Sequence, residues 1–232
     1  MHDNNCFITL TYNDQNLPGD FSLVKKHFQD FMKRLRFKFG PGIRYFHCGE
    51  YGEENKRPHY HACLFNFDFQ DKELFSTRQG VLLYTSPDLV SLWPFGFSTI
   101  GNVTFESAAY VARYITKKIT GDQAADHYQG RLPEYTTMSL KPAIGHGWFE
   151  KFFEDIYPHD LAIINGKKMK PPKYYDKLYD ITHPGQMLKI KANRKKATIE
   201  RADNNTLRRL QDRETCKQKQ LQQLIRPIER SN

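Results

Sequence analysis

Two strand-like runs joined by a polar loop limit the fold more than any other feature of the chain. Ile43 to about Glu50 and His59 to about Phe67 flank Tyr51-Gly52-Glu53-Glu54-Asn55-Lys56-Arg57-Pro58, the pattern of a β-hairpin with a longish loop. Cys6-Phe7-Ile8-Thr9-Leu10-Thr11-Tyr12 alternates and is rich in β-branched and aromatic residues, so it reads as a further strand. Between them, Asn13 to Asp20 has turn chemistry. Ser22 is placed to cap a helix running to about Phe39, with Val24, Phe28, Phe31, Met32 and Leu35 on its buried face. Gly40-Pro41-Gly42 ends that helix.

Later segments extend the pattern. Val81 to Tyr84 and Phe97 to Thr104 read as strands, Pro87 to Trp93 as a short helical turn, and Phe105 to about Ile119 as a helix with Gly121 beyond its end. This order of elements suits an α+β layer architecture, an antiparallel central sheet with helices on one face. After Gln123 the signals weaken into a loop-rich region. Met187 to about Ile225 reads as a polar helix whose apolar stripe (Leu207, Leu210, Leu221, Leu224, Ile225) is thin.

Charge divides the chain unevenly. Of 35 Lys and Arg and 26 Asp and Glu, the segment from Gln186 onward holds 13 basic against 5 acidic residues, which leaves 22 against 21 in residues 1–185. A cationic C-terminal tail attracts a polyanion, nucleic acid above all, through counterion release; the plainer alternative is a solvated basic helix. No apolar run approaches the roughly 18–20 residues of a membrane span, so no membrane partner is expected. Four scattered cysteines form no C-x-x-C pair, which fits a reducing cytoplasm.

Chemistry concentrates in two places. Residues two apart on a strand share a face, so His59 and His61 set two imidazoles side by side. Glu50, at the end of the preceding strand, is the foremost carboxylate to complete a metal site, ahead of Glu53 and His47. Two His plus one carboxylate suits Mg²⁺ or Mn²⁺ on a phosphate and leaves Zn²⁺ open. On the helix from Phe105, Ala108, Val111, Ala112, Ile115 and Ile119 fall on one arc, and Tyr110, Tyr114 and Lys117 on another. The plain reading makes the tyrosines amphipathic edge residues. Joined to a divalent ion, they point instead to in-line attack of a phenol on DNA, leaving a phosphotyrosine and a free 3′-hydroxyl.

The same residues resemble a known family. His59-Tyr60-His61, with the apolar Ala62-Cys63-Leu64-Phe65 behind it, resembles the His-hydrophobic-His motif of HUH endonucleases, and Phe7 to Tyr12 resembles the strand motif preceding it in rolling-circle initiators. Tyr110 and Tyr114 match the paired-tyrosine helix of that family, and Lys117 a basic residue near it. Cys48-Gly49-Glu50-Tyr51-Gly52 leading into Arg57-Pro58-His59, and Lys167 to Tyr179, are similar to the replication initiators of gokushoviruses, phages of the Microviridae.

The resemblance implies a ferredoxin/RRM-like HUH endonuclease domain over residues 1–155, then a loop-rich segment and basic, helical extension over 156–232. It implies nicking and rejoining of single-stranded viral DNA at the origin with Mg²⁺ or Mn²⁺, in the cytoplasm of a bacterial host, with host helicase or polymerase as further partners. Tyr110 and Tyr114 would be nucleophiles, Lys117 an electrostatic or proton-handling helper, and His59, His61 and Glu50 metal ligands. Arg57, Arg113 and Lys118 are candidate phosphate contacts. Such initiators carry a further cysteine-containing segment ahead of the first strand, whereas here the strand begins at Cys6, which raises the expectation of a truncated copy or a start at an internal methionine. A non-enzymatic single-stranded DNA-binding protein is the competing function, since aromatics on a sheet and a cationic tail suffice for binding.

Overall fold

Alternate residues of Asn5–Tyr12 (β1) meet different surroundings. Cys6, Ile8, Leu10 and Tyr12 enter the main core, whereas Phe7 joins a smaller cluster on the other side of the backbone. Period-2 projection therefore places two unlike layers on the two faces of one sheet. The computed structural model describes residues 1–52, 55–78, 80–113 and 118–223, and divides into two compact units with the boundary between Ile144 and Gly145.

The first unit is built on a seven-stranded, wholly antiparallel sheet. Its strands are β1, β2 (Arg44–Tyr51), β3 (Pro58–Phe65), β4 (Glu73–Arg78), β5 (Val81–Thr85), β6 (Gly96–Gly101) and β7 (Tyr135–Met138), ordered β4-β5-β6-β1-β3-β2-β7. Helix α1 (Lys25–Phe39) buries Phe28, Phe31, Met32 and Leu35 against Ile8, Leu10, Tyr60, Ala62 and Leu64. Leu89 and Leu92 of α2 (Pro87–Leu92) and Trp93 join the same core. The opposite face is covered by α3, described over Phe105–Arg113, whose Tyr110 and Val111 pack with Phe7, Cys48 and Cys63. The short helix α4 (Gln123–Tyr128) adds Tyr128 to the main core. The α+β class expected from sequence is thus present, with helices on both faces of the sheet rather than one.

Two local expectations change for identifiable reasons. Ser22 does not cap α1; its hydroxyl accepts the Leu132 N–H at 2.9 Å, and Val24 occupies the cap position. The chain is held there by the Tyr60 hydroxyl, which accepts the Val24 N–H at 2.8 Å and lies 2.8 Å from the Tyr12 hydroxyl. Tyr12 in turn reaches His27 Nδ1 at 2.7 Å. Tyr60→Phe leaves the Val24 N–H without its acceptor in a site where water cannot enter, at a cost of about 1–3 kcal/mol. The expected fall in melting temperature is roughly 3–10 °C, and an unchanged thermal transition by circular dichroism would refute this anchoring role.

The second departure is in α3. Its buried residues are Ser107, Tyr110 and Val111, while Ala112 is exposed. The inward arc is therefore rotated toward Tyr110 by roughly 60–80° from the alanine-valine stripe, taking 100° per residue. A tyrosine ring offers more area to bury against Phe7 and His61 than an alanine methyl does.

The second unit holds α5 (His146–Phe152), the hairpin β8 (Ala162–Ile164)–β9 (Lys167–Met169), α6 (Lys173–Thr182), α7 (Pro184–Glu200) and α8 (Leu207–Gln222). Phe149, Ile156, Tyr157, Tyr179, Met187 and Ile190 form its core. The expected continuous basic helix is broken, because the turn-forming run Asp203-Asn204-Asn205 makes a 3₁₀ turn between α7 and α8. Arg194 of α7 is bound to Asp160 and Asp176, so part of the tail's charge is structural. Leu207 and Leu210 of the expected stripe are exposed, and Leu224 and Ile225 lie outside the described residues. Among the described residues no helix is long and apolar enough to cross a membrane.

Candidate active site

Hairpin register brings the first three candidate residues together. In the β2–β3 pairing Glu50 lies opposite His59 and Cys48 opposite His61; in the β1–β3 pairing Thr9 lies opposite His61. Glu50 is thus directly across from one imidazole and diagonal to the other, both on the α3 face. Its Oε1 is 2.8 Å from His59 Nε2 and 2.9 Å from His61 Nε2. Glu50 and His61 are each only 2% exposed.

Outer contacts orient both rings. His59 Nδ1 donates to the Arg57 carbonyl at 3.0 Å, an acceptor only, so a neutral His59 presents an unprotonated Nε2. Nδ1 of His61 is 2.9 Å from the Thr9 hydroxyl, and the Phe7 ring stacks on His61 at 5.5 Å. Burial by itself raises the Glu50 carboxyl, but the His59 charge and the hydrogen bonds from both imidazoles outweigh it and hold the group at about 2. A carboxylate oxygen and an unprotonated ring nitrogen 2.8 Å apart repel unless a proton or a cation lies between them.

The donor set fits a divalent ion. The three ligand atoms lie within 4.8 Å of one another. Donors bound about 2.1 Å from an ion sit about 3 Å apart along an octahedral edge, close to the two nitrogen–oxygen separations seen here. The second contact of each imidazole, to a backbone carbonyl or a hydroxyl, is what metal-ligating histidines require.

Tyr110 comes to this cluster from α3. Its hydroxyl donates to Glu50 Oε1 at 3.4 Å, and its ring meets His61 edge-on at 5.2 Å and Phe7 at 6.4 Å. The phenol is buried yet its oxygen reaches the cluster, which places a nucleophile-type group beside the ligand set.

Other sequence candidates fall elsewhere. His47, a weaker ligand candidate, projects from the opposite face of β2, where its ring stacks 3.5 Å from Phe28; burial and then the nearby His61 hold it neutral, well below the usual histidine range. It is a core residue, separated from Glu50 by the sheet itself. Arg57 donates to the Tyr12 carbonyl at 2.9 Å and pairs with Asp14, tying the β2–β3 loop to the end of β1. Arg113 is half-buried at the last described position of α3, and Lys118 is exposed. Tyr114, Lys117 and Glu53 lie outside the described residues. Sequence reasoning missed Thr9 and Phe7 as supports of His61; their period-2 placement in β1 carried that signal.

An antiparallel sheet that gathers a buried Glu–His–His set beneath a tyrosine-bearing helix defines a class of protein with a candidate metal site, and comparison with known proteins gives the family. Residues 5–119 match the family model for replication-associated protein ORF2, and the chain belongs to that family. It is 37% identical to replication-associated protein VP4 of Bdellovibrio phage phiMH2K over 213 residues, covering 88% of this chain and 66% of that protein. Replication-associated protein ORF2 of Spiroplasma virus 4 is 38% identical over 187 residues, 75% of this chain and 57% of its own length. For replication-associated protein ORF4 of Chlamydia phage 1 the figures are 29% identity, 76% and 46%. The chain therefore spans about two thirds or less of each of these relatives. No solved structure gives a significant match.

Proposed function

We propose that the chain initiates rolling-circle replication by nicking and rejoining single-stranded viral DNA at its origin through a phosphotyrosine intermediate. The observation that supports this most is the Tyr110 hydroxyl, 3.4 Å from the carboxylate that also meets both imidazoles. In the cut, the Tyr110 oxygen forms a bond to phosphorus while the bond to the 3′-oxygen breaks; the tyrosine gives up its proton and the departing oxygen gains one. Glu50 orients the phenol, but a carboxyl held at about 2 is too weak a base to keep that proton at neutral pH. His59, His61 and Glu50 would hold Mg²⁺ or Mn²⁺, which when bound offsets charge on a non-bridging phosphate oxygen and on the departing oxygen. Tyr114 is assigned the second transfer, while Tyr110 still holds DNA, and Lys117 the electrostatic support.

The test is incubation with an origin-like labelled single strand and Mn²⁺, followed by denaturing electrophoresis. A covalent protein–DNA band is expected. Tight binding with no such band would favour the non-enzymatic single-strand binder, and cleavage with no band a hydrolase that uses water.

The basic extension is assigned to phosphate binding. Because α7 supplies Met187 and Ile190 to the core of its unit, the informative deletion starts after Glu200 and spares that core. Removing residues 201–232 is expected to flatten the dependence of log affinity on log salt, by roughly 0.7 for each phosphate that the extension neutralises. An unchanged slope would locate the main phosphate-binding residues elsewhere.

A further inference from the structure

We propose that Phe97 is a stacking platform for a nucleobase of single-stranded DNA, set beside the Glu50–His59–His61 cluster to hold the strand there. This rests on the reading that the cluster acts on DNA. The register carries it. Glu50 pairs with His59, His59 with Thr11, and Thr11 with Phe97, so the four residues form one row across β2, β3, β1 and β6. Strands are about 4.8 Å apart, which puts Phe97 about 10 Å from His59 along that row.

The ring stands on the face of the cluster. Its neighbours Ser98 and Ile100 are buried and pair with Leu10 and Ile8 of the main core, so Phe97 and Thr99 project the other way. Phe97 is 70% exposed, and its surroundings on that face are the half-buried Thr11, Thr9 and Thr99 rather than a contiguous apolar patch. A single ring on a floor of threonines suits one flat π-face bounded by polar and phosphate groups. A protein partner would require a broader apolar centre. The lone ring therefore favours a nucleotide over a second polypeptide.

The platform is also fixed in place. Gly96, next to Phe97, has φ +151°, and a Cβ there would meet Asn13 N at 2.3 Å and the Thr11 carbonyl at 2.6 Å. The Asn13 N–H donates to the Phe95 carbonyl at 2.9 Å, and Trp93 Nε1 donates to the Thr11 carbonyl at 3.2 Å. Backbone packed this closely holds the aromatic ring without a further ordering cost on binding.

Base-on-aromatic stacking of this kind is worth roughly 5- to 150-fold in affinity. Fluorescence anisotropy with a labelled oligothymidylate of about 16 nucleotides reads it in the full chain. Phe97→Ala is expected to weaken binding by that factor and Phe97→Tyr to restore it. Phe37→Ala, which removes a 94% exposed ring from α1 on the other side of the sheet, is expected to change nothing. The proposal falls if Phe97→Ala binds within about twofold of wild type, if wild type does not bind, or if Phe37→Ala produces the same loss. It falls equally if Phe97→Ala alters sedimentation mass and not DNA affinity, the signature of a protein partner. Adduct formation by wild type, scored in the same samples, reports separately on the nicking reading: binding lost in Phe97→Ala with no adduct in wild type keeps the platform and removes the nickase.

Discussion

Tyr110→Phe is expected to abolish the covalent protein–DNA adduct, with a loss of at least about 10³-fold in its rate of formation, on the scale of removing a catalytic nucleophile. The substitution is a clean one. The ring keeps its packing against His61 and Phe7, and the bond forfeited to Glu50 is a long one of 3.4 Å. Removing a buried hydroxyl while leaving Glu50 its two imidazole partners costs about 1 kcal/mol or less, so a folded protein is expected. Denaturing electrophoresis with an origin strand and Mn²⁺ reads the result, and circular dichroism checks the fold. An adduct that persists in Tyr110→Phe and disappears in Tyr114→Phe would make Tyr114 the first nucleophile. Cleavage that survives in the double variant would sink the phosphotyrosine mechanism altogether.

That prediction rests on residues whose proximity is largely legible in the sequence. His59 and His61 share a face on period-2 grounds alone. A hairpin in which Tyr51 pairs with Pro58 then leaves Glu50 opposite His59. The features that sequence does not disclose follow from tertiary competition. β7 is only four residues long and pairs along Phe46–Gly49 at the sheet edge, too short to show an alternation. β4 carries a register shift at Leu74/Ser76, which breaks the period a strand is recognised by. Ser22 has the chemistry of a helix cap, but the Leu132 N–H from a distant segment takes its oxygen, and Tyr60 supplies the anchor instead. In α3, the alanine-valine arc has the look of a buried stripe, yet the sheet offers Tyr110 a pocket between Phe7 and His61 and the helix turns toward it. His47 shows the same limit from the other side. It has the right chemistry for a ligand and the wrong parity on β2, and only the register of that strand decides the matter.

Parity also governs the second large effect. Glu50→Gln preserves side-chain volume and removes the anion that faces both Nε2 atoms. Affinity for Mn²⁺ is expected to fall by at least roughly 10–100-fold, the loss associated with merely supporting residues of a metal site. Calorimetric titration reads this directly. A melting temperature that rises with Mn²⁺ in wild type but stays flat in the variant reads it through linkage. The carboxylate adds a pH signature. Its folded-state pKa, about 2, is below the ordinary value of 4.5, so its contribution to stability is present above pH 4.5 and is lost as pH falls toward 2. Gln has no such transition, and the variant's acid denaturation between those limits should be correspondingly shallower. Glu53→Gln supplies the contrast, because Glu53 follows β2 in the loop and shares no cross-strand row with the histidines. Should Glu53→Gln lose Mn²⁺ while Glu50→Gln keeps it, the third ligand belongs to the loop, and Glu50 is left as the group that orients Tyr110.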